Sequence, residues 1–403
     1  MPYYRAVGEV PRKRHTQFRK RDGSLYAEEL MGVEGFSSDS ALLYHEHLPT
    51  AILDAVAVEE TAHSLVANHP LKPRHFKTHK LDAASADLVT GRQLLLGNED
   101  VRISYVVADT PSPLYRNAAG DELVFIEAGA ATLETVFGVM HVGAGDYVVL
   151  PTSTTHRWLP SADEPVRALV SEARGHVGPP RRYLSMKGQF LEQAPYCERD
   201  LRGPTQPHVV EGTDVDVLVR HRAGLTRYTY AHHPFDVIGW DGCLYPYAFS
   251  IHDFEPITGR IHMPPPSHQT FEGPNFVICS FCPRKLDYDP EAVPIPYHHS
   301  NLQSEEMIYY VDGNFSSRKG IEVGSITLHP SGLPHGPQPG LAEKSLGMTE
   351  THEYAVMCDT FNPLRLTTLA ADLDDGKYMY SWAEEAGAED AGADEQAGVT
   401  SHL

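Results

Sequence analysis

The stretch HHSNLQSEEMIYYVDG (298–313) and the later GSITLHPSGLPH (324–335) both have counterparts in the first half of the chain. The counterparts are LYRNAAGDELVFIEAG (114–129) and GDYVVLPTSTTH (145–156). The first pair of segments is offset by 184 residues and the second pair by 179. Two segments that recur in the same order indicate a duplicated structural unit. The simplest interpretation is a duplicated β-barrel.

Matched positions in the two halves carry like residues: Asn117 and Asn301, Asp121 and Glu305, Glu122 and Glu306, Gly129 and Gly313, Gly145 and Gly324, Pro151 and Pro330, His156 and His335. A His/Glu block that ends in Gly, followed by a Gly…Pro…His block, is the paired pattern of a cupin. The sequence therefore predicts an all-β-dominated, bicupin-like fold. We expect two β-sandwich or barrel (jelly-roll) domains with few short helices.

Short β-like runs separated by Gly, Pro and Asn turns support this interpretation. In the first half they lie at 101–107, 123–129, 131–138 and 146–151, and in the second half at 275–281, 306–313, 324–330 and 353–361. The segment 51–66 is compatible with either helix or strand.

The runs and the repeat predict three regions. Residues 1–245 form an N-terminal β-domain with a metal-less cupin-like barrel at about 85–175 and a connecting segment. Residues 246–383 form a C-terminal cupin domain that carries the metal. Residues 384–403 hold six acids and no Lys or Arg, which is typical of a disordered tail.

The two halves differ at the positions that carry chemistry. The C-terminal half offers His299, Glu305 and His335, and the N-terminal half has Tyr115, Asp121 and His156 at those places. Two histidines and one carboxylate are the open-faced ligand set of non-haem Fe(II) oxygenases. The same set also binds Mn or Co, so the residues alone leave the metal open. We expect the N-terminal half to have lost its metal.

Composition excludes several classes of protein. The 403 residues carry 33 basic and 54 acidic side chains, a formal charge of −21, which argues against a nucleic-acid partner. No apolar run is long enough to span a membrane, and the N-terminus has charges where a signal peptide is apolar. We therefore expect a cytoplasmic protein without a membrane partner. Cys279 and Cys282 form a lone CxxC, which we interpret as structural.

Four segments resemble the homogentisate 1,2-dioxygenase family: PYHHSNLQSEEM (296–307), LHPSGLPHGP (328–337), GSLYAEELMG (23–32) and PFDVIGWDGCLYPY (234–247). The matches run in order through roughly residues 20 to 370. The resemblance implies a bicupin that contains Fe(II), acts on a small aromatic substrate and O2, and often assembles as a dimer of trimers. It also implies ring opening of homogentisate (2,5-dihydroxyphenylacetate) to maleylacetoacetate, in tyrosine and phenylalanine catabolism.

The resemblance also assigns roles to residues. It makes His299, Glu305 and His335 the iron ligands, and His329 and His335 histidines of the substrate pocket. Phe315 stands where the family has a pocket tyrosine, and a phenyl ring cannot donate that hydrogen bond. The residues implied to contact substrate are therefore His329, His335 and Phe315.

The family's catalytic acid/base histidine corresponds to His262, with His268 as the second candidate. The third interpretation is that both are ordinary loop histidines.

Three other functions fit the same residues. The first is a cupin dioxygenase for a related hydroxylated aromatic acid such as gentisate, which Phe315 keeps open. The second is a non-enzymatic binding or storage cupin, which predicts no stoichiometric metal. The third is a metal-dependent sugar isomerase, which predicts no O2 consumption.

Overall fold

The computed structural model describes residues 3–383 apart from 61–63, 82–84, 264, 314, 316, 317 and 319. The predicted acidic tail, 384–403, lies outside the described residues. In the described part of the chain, strands predominate and the two α-helices are short. This confirms the predicted all-β, bicupin-like fold class. No helix among these residues is long and apolar enough to cross a membrane.

The strands up to residue 242 are, in chain order, β1 Arg5–Gly8, β2 Ala27–Gly32, β3 Ser40–His45, β4 Ile52–Val58, β5 Val66–Ala67, β6 Arg74–Phe76, β7 Gln93–Gly97, β8 Val101–Ala108, β9 Tyr115–Asn117, β10 Glu122–Ala128, β11 Ala130–Thr135, β12 Gly138–Gly143, β13 Asp146–Leu150, β14 His156–Pro160, β15 Val166–Ala173, β16 Leu201–Arg202, β17 Val215–His221, β18 Gly224–Tyr230 and β19 Val237–Gly242. The segment left open at 51–66 thus contains two strands, β4 and β5.

The remaining elements are β20 Tyr247–Ser250, β21 Gln269–Gly273, β22 Phe276–Phe281, β23 Arg284–Lys285, β24 Glu305–Asp312, β25 Ile326–His329, α1 Leu341–Lys344, β26 Glu350–Thr351, β27 Tyr354–Thr360, β28 Arg365–Leu366 and α2 Thr368–Leu373. All eight predicted β-like runs form strands.

Three sheets stack in layers. The middle sheet has the order β16-β20-β13-β10-β15-β8-β7-β28-β5. The outer sheet, β12-β11-β14-β9-β17-β18-β4, packs on one face of it and completes the N-terminal barrel. The C-terminal sheet, β21-β22-β27-β24-β25-β6, packs on its other face. The middle sheet therefore buries apolar side chains on both faces. This explains why the sequences of its strands are near-continuous hydrophobic runs.

Alternation along the strands divides the side chains of the middle sheet between the two interfaces. Val124 and Val148 share a buried cluster with Trp158 of the outer sheet. Their neighbours Phe125 and Tyr147 share a different cluster with the C-terminal sheet. The second interface also contains hydrogen bonds: the hydroxyls of Tyr147 and Ser280 lie 2.8 Å apart, and Tyr309 donates to Glu127.

Strand pairing crosses the boundary predicted at 245/246 in both directions. β20 pairs with β13 and β28 pairs with β7, so strands late in the chain complete the middle sheet. β6 pairs with β25, so an early strand extends the C-terminal sheet. The two halves therefore share backbone hydrogen bonds as well as an apolar interface.

The cysteines of the CxxC are buried in the C-terminal sheet and its edge, and all five cysteines are free. Burial raises the pKa of the Cys279 thiol well above its ordinary value and that of Cys282 to about 12. Neutral buried thiols fit the predicted structural role.

A fourth sheet, β1-β19-β3-β2, holds a buried charged group. His45 Nδ1 lies 2.7 Å from Asp236 and its Nε2 lies 2.9 Å from Glu29. Burial lowers the pKa of His45, but the hydrogen bonds to both carboxylates outweigh burial and raise the pKa to about 9. His45 is therefore a cation in the folded protein at neutral pH.

This interaction predicts a loss of stability at alkaline pH. The stabilisation is complete below an unfolded-state pKa of about 6.5 and is lost as pH rises through about 9, because the folded state then releases the proton it had retained. We expect Asp236→Asn to remove on the order of 2–3 kcal/mol of this pH-dependent stability. Urea unfolding at roughly neutral pH and at about pH 10 measures it.

The exposed pair of His15 with Glu28 supplies the control. Asn tolerates the positive φ of 61° at position 15, so His15→Asn should not strain the backbone. This variant should leave the pH dependence of the free energy of unfolding unchanged. Identical pH profiles for wild type and Asp236→Asn would contradict the assignment of the buried cation to His45.

Candidate metal centre

Strand alternation selects one of two adjacent carboxylates. On β24, Glu305 has the same parity as Met307 and Tyr309, which face the middle sheet. Glu306 has the same parity as Ile308 and Tyr310, which face away from it. The backbone N–H of Leu364 donates to Glu305 at 2.7 Å. The structure therefore corrects the predicted carboxylate by one position, from Glu305 to Glu306.

Two histidines are brought to Glu306 by a short backbone pairing. The N–H of His299 donates to the carbonyl of His335, and the N–H of His335 donates back to His299, both at 2.8 Å. This antiparallel bridge places the imidazole centroids 4.3 Å apart. His299 Nε2 lies 3.6 Å and His335 Nε2 lies 3.5 Å from the Glu306 carboxylate. The predicted histidine pair thus does meet a carboxylate.

The three side chains fit a metal ion. Each offers one ligand atom, and these atoms lie within 4.8 Å of one another. His335 Nδ1 lies 3.3 Å from the carbonyl of Leu333, which directs Nε2 towards the cluster. Among the described residues, the buried His335 Nε2 and His299 Nδ1 have no hydrogen-bond partner. Buried nitrogens without partners are costly unless another group, such as a metal, engages them.

The carboxylate of the cluster is held in its charged form. Burial raises the pKa of Glu306, but His299, His329 and His335 together lower it well below its ordinary value. Burial also lowers the pKa of His329 to about 4, so this imidazole is neutral. Its Nδ1 then donates to Glu306 at 2.8 Å, and its Nε2 accepts from the hydroxyl of Tyr378 at 2.9 Å.

His329 therefore lies behind the cluster. It is fully buried, stacks on His335 with centroids 4.4 Å apart, and orients Glu306. Both ring nitrogens of His329 are engaged by Glu306 and Tyr378, which does not favour the predicted contact of His329 with substrate. Phe315 likewise packs edge-on against Tyr310 at 4.6 Å, within a buried apolar cluster.

A cavity of about 430 Å³ opens beside the cluster and is lined by both His299 and Glu306. Its apolar wall is formed by Met263, Phe281, Ile295, Ile308 and Met357. Two guanidinium groups, Arg284 and Arg318, also line it. The volume and the mixture of apolar walls with few polar groups are typical of a small-molecule site.

Both candidate acid/base histidines lie on the wall of this cavity. His262 is partly exposed, with Nε2 3.0 Å from the hydroxyl of Tyr297 and Nδ1 3.7 Å from Asp287. His268 is buried against Phe281, and burial lowers the pKa of His268 to about 3. Tyr297 lies between His262 and His299, with its ring 6.0 Å from that of His299.

Sequence reasoning missed three polar residues on the cavity wall: Tyr297, Asp359 and Arg318. Asp359 is opposite Glu306 in the β24–β27 register, and burial raises its pKa to about 8. Alternation along β27 predicts that Asp359 lies on the same face as Met357. Only the pairing of β27 with β24 in the structure shows that Glu306 lies on this face too. Arg318 lies in a loop without a sequence pattern that would reveal its position.

The N-terminal barrel repeats the same framework with Tyr115 in the place of His299. His156 is opposite Tyr115 across β14 and β9, as His335 is opposite His299. His156 Nδ1 lies 3.0 Å from the carbonyl of Thr154, two residues upstream, as His335 Nδ1 faces Leu333. The carboxylate that completes the set is Glu122, not the predicted Asp121, for the same reason of strand parity.

In the N-terminal barrel a guanidinium group engages the buried carboxylate. Arg92 donates to both carboxylate oxygens of Glu122 at 2.8 Å, and its guanidinium carbon lies 5.6 Å from the ring centre of Tyr115. Burial raises the pKa of Glu122, but Arg92 outweighs burial and lowers it to about 2. The charge balance of Glu122 therefore needs no metal ion.

Comparisons with known proteins agree with this architecture. A family model described as homogentisate 1,2-dioxygenase N-terminal matches residues 7–251. A provisionally named dioxygenase of Saccharolobus solfataricus is 37% identical over 390 residues, which covers 95% of this chain and 99% of that protein. The homogentisate 1,2-dioxygenase of Rhizobium rhizogenes is 27% identical over 66% of this chain, and the aligned part spans 61% of that relative.

Among solved structures, a cupin 2 conserved barrel domain protein from Leptotrichia buccalis is 11% identical, with a TM-score of 0.32, over 74% of this chain and 100% of that one. The family model covers more than half of the chain, and the archaeal relative covers almost all of it. The chain belongs to the homogentisate 1,2-dioxygenase family.

Proposed function

We propose that the protein is a non-haem Fe(II) dioxygenase that opens the ring of homogentisate with O2 to give maleylacetoacetate. The observation that carries the proposal is a two-histidine, one-carboxylate cluster on the wall of a cavity sized for one aromatic acid. Family membership supports a dioxygenase, and the cluster supports metal-dependent chemistry. A related substrate such as gentisate differs by one methylene and is the alternative.

His299, Glu306 and His335 would hold the iron, with Glu306 fixed by His329. When bound, Fe(II) supplies Lewis acidity towards a phenolic hydroxyl and the redox chemistry of O2 activation. Three protein ligands leave positions for substrate and O2. In this proposal residues 246–383 carry the reaction, and residues 1–245 provide the scaffold with its metal-less barrel.

The cavity wall supports an aromatic acid as substrate. Phe281, Ile308 and Met357 offer apolar surface to a ring, which also limits water at the reaction site. Arg284 and Arg318 provide positive charge for a carboxylate. Of these two, Arg284 lies beside Phe281, with its guanidinium carbon 5.8 Å from that ring centre.

We assign proton transfer to His262. It lies on the cavity wall, and the hydroxyl of Tyr297 at 3.0 Å holds its ring in place. An imidazole with access to solvent can take a phenolic proton near neutral pH and release it to water. The low pKa of about 3 at His268 makes that residue a poor proton acceptor.

The resemblance to the family also leads us to propose a homo-oligomer, trimer or hexamer, in the cytoplasm. Light scattering on the purified protein measures the oligomeric state.

The substrate assignment predicts rapid O2 uptake by the Fe(II)-reconstituted protein when homogentisate is offered. Gentisate is offered in parallel, and His299→Ala is the control that should abolish uptake because one of three ligands is lost. O2 uptake with gentisate alone would identify gentisate, the shorter acid, as the substrate. Absence of uptake with both, in protein that retains iron, would contradict ring cleavage of either compound.

The choice between the two carboxylates predicts different metal contents for two isosteric variants. Glu306→Gln should lower bound iron by about tenfold or more after dialysis, because a neutral amide replaces the charged ligand. Glu305→Gln should keep iron near the wild-type level, because Glu305 faces Leu364. Elemental analysis of both variants measures this, and loss of iron in Glu305→Gln alone would reverse the assignment.

The role of His262 predicts a catalytic defect without a metal defect. His262→Ala should retain iron and lose about 10²- to 10⁴-fold in kcat, the usual contribution of general acid–base catalysis. His268→Ala is compared under the same conditions and should lose far less. An unimpaired kcat in His262→Ala would remove this residue from the mechanism.

A further inference from the structure

A second cavity, of about 800 Å³, lies at the mouth of the N-terminal barrel, between the middle and outer sheets. It occupies the side of the framework where Tyr115 takes the place of the histidine ligand His299. Its wall contains equal numbers of guanidinium and carboxylate groups: Arg92, Arg102, Arg220, Glu59, Glu60 and Glu172. The N-terminal barrel thus contains a large polar cavity.

Three charged residues stand in one row across the middle sheet. Arg102 on β8 is opposite Glu172 on β15, and Glu172 is opposite Glu122 on β10. Arg92 closes the row at Glu122 with its two 2.8 Å hydrogen bonds, and its nearest atom lies 3.5 Å from Glu172. Arg220 approaches Glu172 from the outer sheet at 3.9 Å and donates to Glu60.

The row leaves the Arg102 side chain without a partner and holds Glu172 only through two long ion pairs. Arg102 is exposed at the mouth, and its side chain forms no ion pair or hydrogen bond in the part of the chain that the structure describes. The Glu172 carboxylate is 11% exposed, and its approaches to Arg92 and Arg220 are both longer than a charge-assisted hydrogen bond. Directly opposite residues lie about 5 Å apart, so both charges are within reach of one small molecule.

The hydroxyl groups of two largely buried residues also face this cavity. Tyr115 and Ser104 are each 2% exposed and line its wall. Neither hydroxyl has a hydrogen-bond partner among the described residues. Hydroxyl groups that face a cavity and lack a protein partner are available to water or a ligand.

We propose that this cavity is a second ligand site, which binds a zwitterionic small molecule of the α-amino acid class. The ligand's carboxylate binds Arg102 and its ammonium group binds Glu172. The hydroxyls of Tyr115 and Ser104 bind the remaining polar atoms. The site is separate from the proposed metal centre and does not depend on ring cleavage.

Charge balance selects a zwitterion over a simple anion or cation. Three guanidinium and three carboxylate groups line the wall, and Glu122 lies beneath Arg92. A ligand with a net negative charge is attracted by Arg102 but repelled by Glu172 and Glu59. A ligand with a net positive charge is repelled by Arg102. A ligand with one charge of each sign gives Arg102 a partner and offers Glu172 a shorter contact than its ion pairs with Arg92 and Arg220.

The remaining wall favours an apolar amino acid. Val58, Val89, Leu94, Leu218 and Leu225 line the cavity beside the charged row. These side chains come from both sheets, so an apolar group between them loses contact with water on both sides. Aliphatic and aromatic amino acids are therefore expected to bind more tightly than polar ones.

Isothermal titration of the full-length protein with each standard L-amino acid at millimolar concentration tests the proposal. We expect saturable binding of one or more apolar amino acids. The N-acetyl derivative and the methyl ester of the best ligand should bind about tenfold or more weakly, because each lacks one of the two charges. Glycerol and glucose serve as neutral polar probes.

Variants locate the site. Arg102→Met and Glu172→Gln should each weaken binding about tenfold or more. Arg174→Met, which changes an exposed arginine outside the cavity, should bind as wild type does. His299→Ala should also bind normally, because it alters only the C-terminal cavity, and Arg102→Met should retain the wild-type iron content and O2 uptake.

Four outcomes would overturn the proposal. They are absence of binding by every amino acid, equal binding of the derivatives that lack one charge, equal binding of the neutral probes, and binding that is lost in His299→Ala but kept in Arg102→Met. The titration measures binding without turnover, so its failure is distinguishable from a failure of the proposed dioxygenase activity.

Discussion

The burial of the middle sheet on both faces is the constraint on which the rest of the structure depends. The strands of this sheet separate two apolar interfaces, so parity assigns the residues at the start of β10, and those at the start of β24 in the C-terminal sheet, to opposite faces. Met307 and Tyr309 must face the middle sheet, because their exposure would cost buried apolar area. Glu306 is consequently turned to the open side, where His299 and His335 converge. The position of the candidate metal centre is thus a consequence of core packing.

Both halves use one framework to stabilise a buried carboxylate, but with different cations. In the C-terminal half, Glu306 is surrounded by imidazoles whose free nitrogens suit a metal ion. In the N-terminal half, Arg92 supplies a permanent charge to Glu122 through two hydrogen bonds. A guanidinium fork is a fixed, proton-independent partner, whereas imidazoles leave coordination positions for other ligands. The same fold therefore accommodates a candidate metal centre and a barrel whose buried carboxylate is paired with arginine.

Much of the fold was predictable because strand periodicity and turn residues are local signals. The eight β-like runs follow from this local pattern, and the repeat matches His335 with His156 and His299 with Tyr115. The choice of Glu305 over Glu306 failed because a count of residues from His299 crosses a loop, and a loop does not preserve parity. Asp359 and Arg92 are 53 residues after Glu306 and 30 residues before Glu122, so no local pattern connects them to these sites.

The sequence by itself determined the duplicated all-β architecture and the residue types of the metal set, because repeats and hydrophobic periods are properties of the linear chain. Family resemblance added the iron, the substrate class and the histidine candidates. Tertiary structure alone decided that Glu306 joins the histidines and that His329 lies behind them. It also revealed the charged cavity above Arg92. These features depend on strand register and on which faces pack together, and both arise from burial of side chains that are distant along the chain.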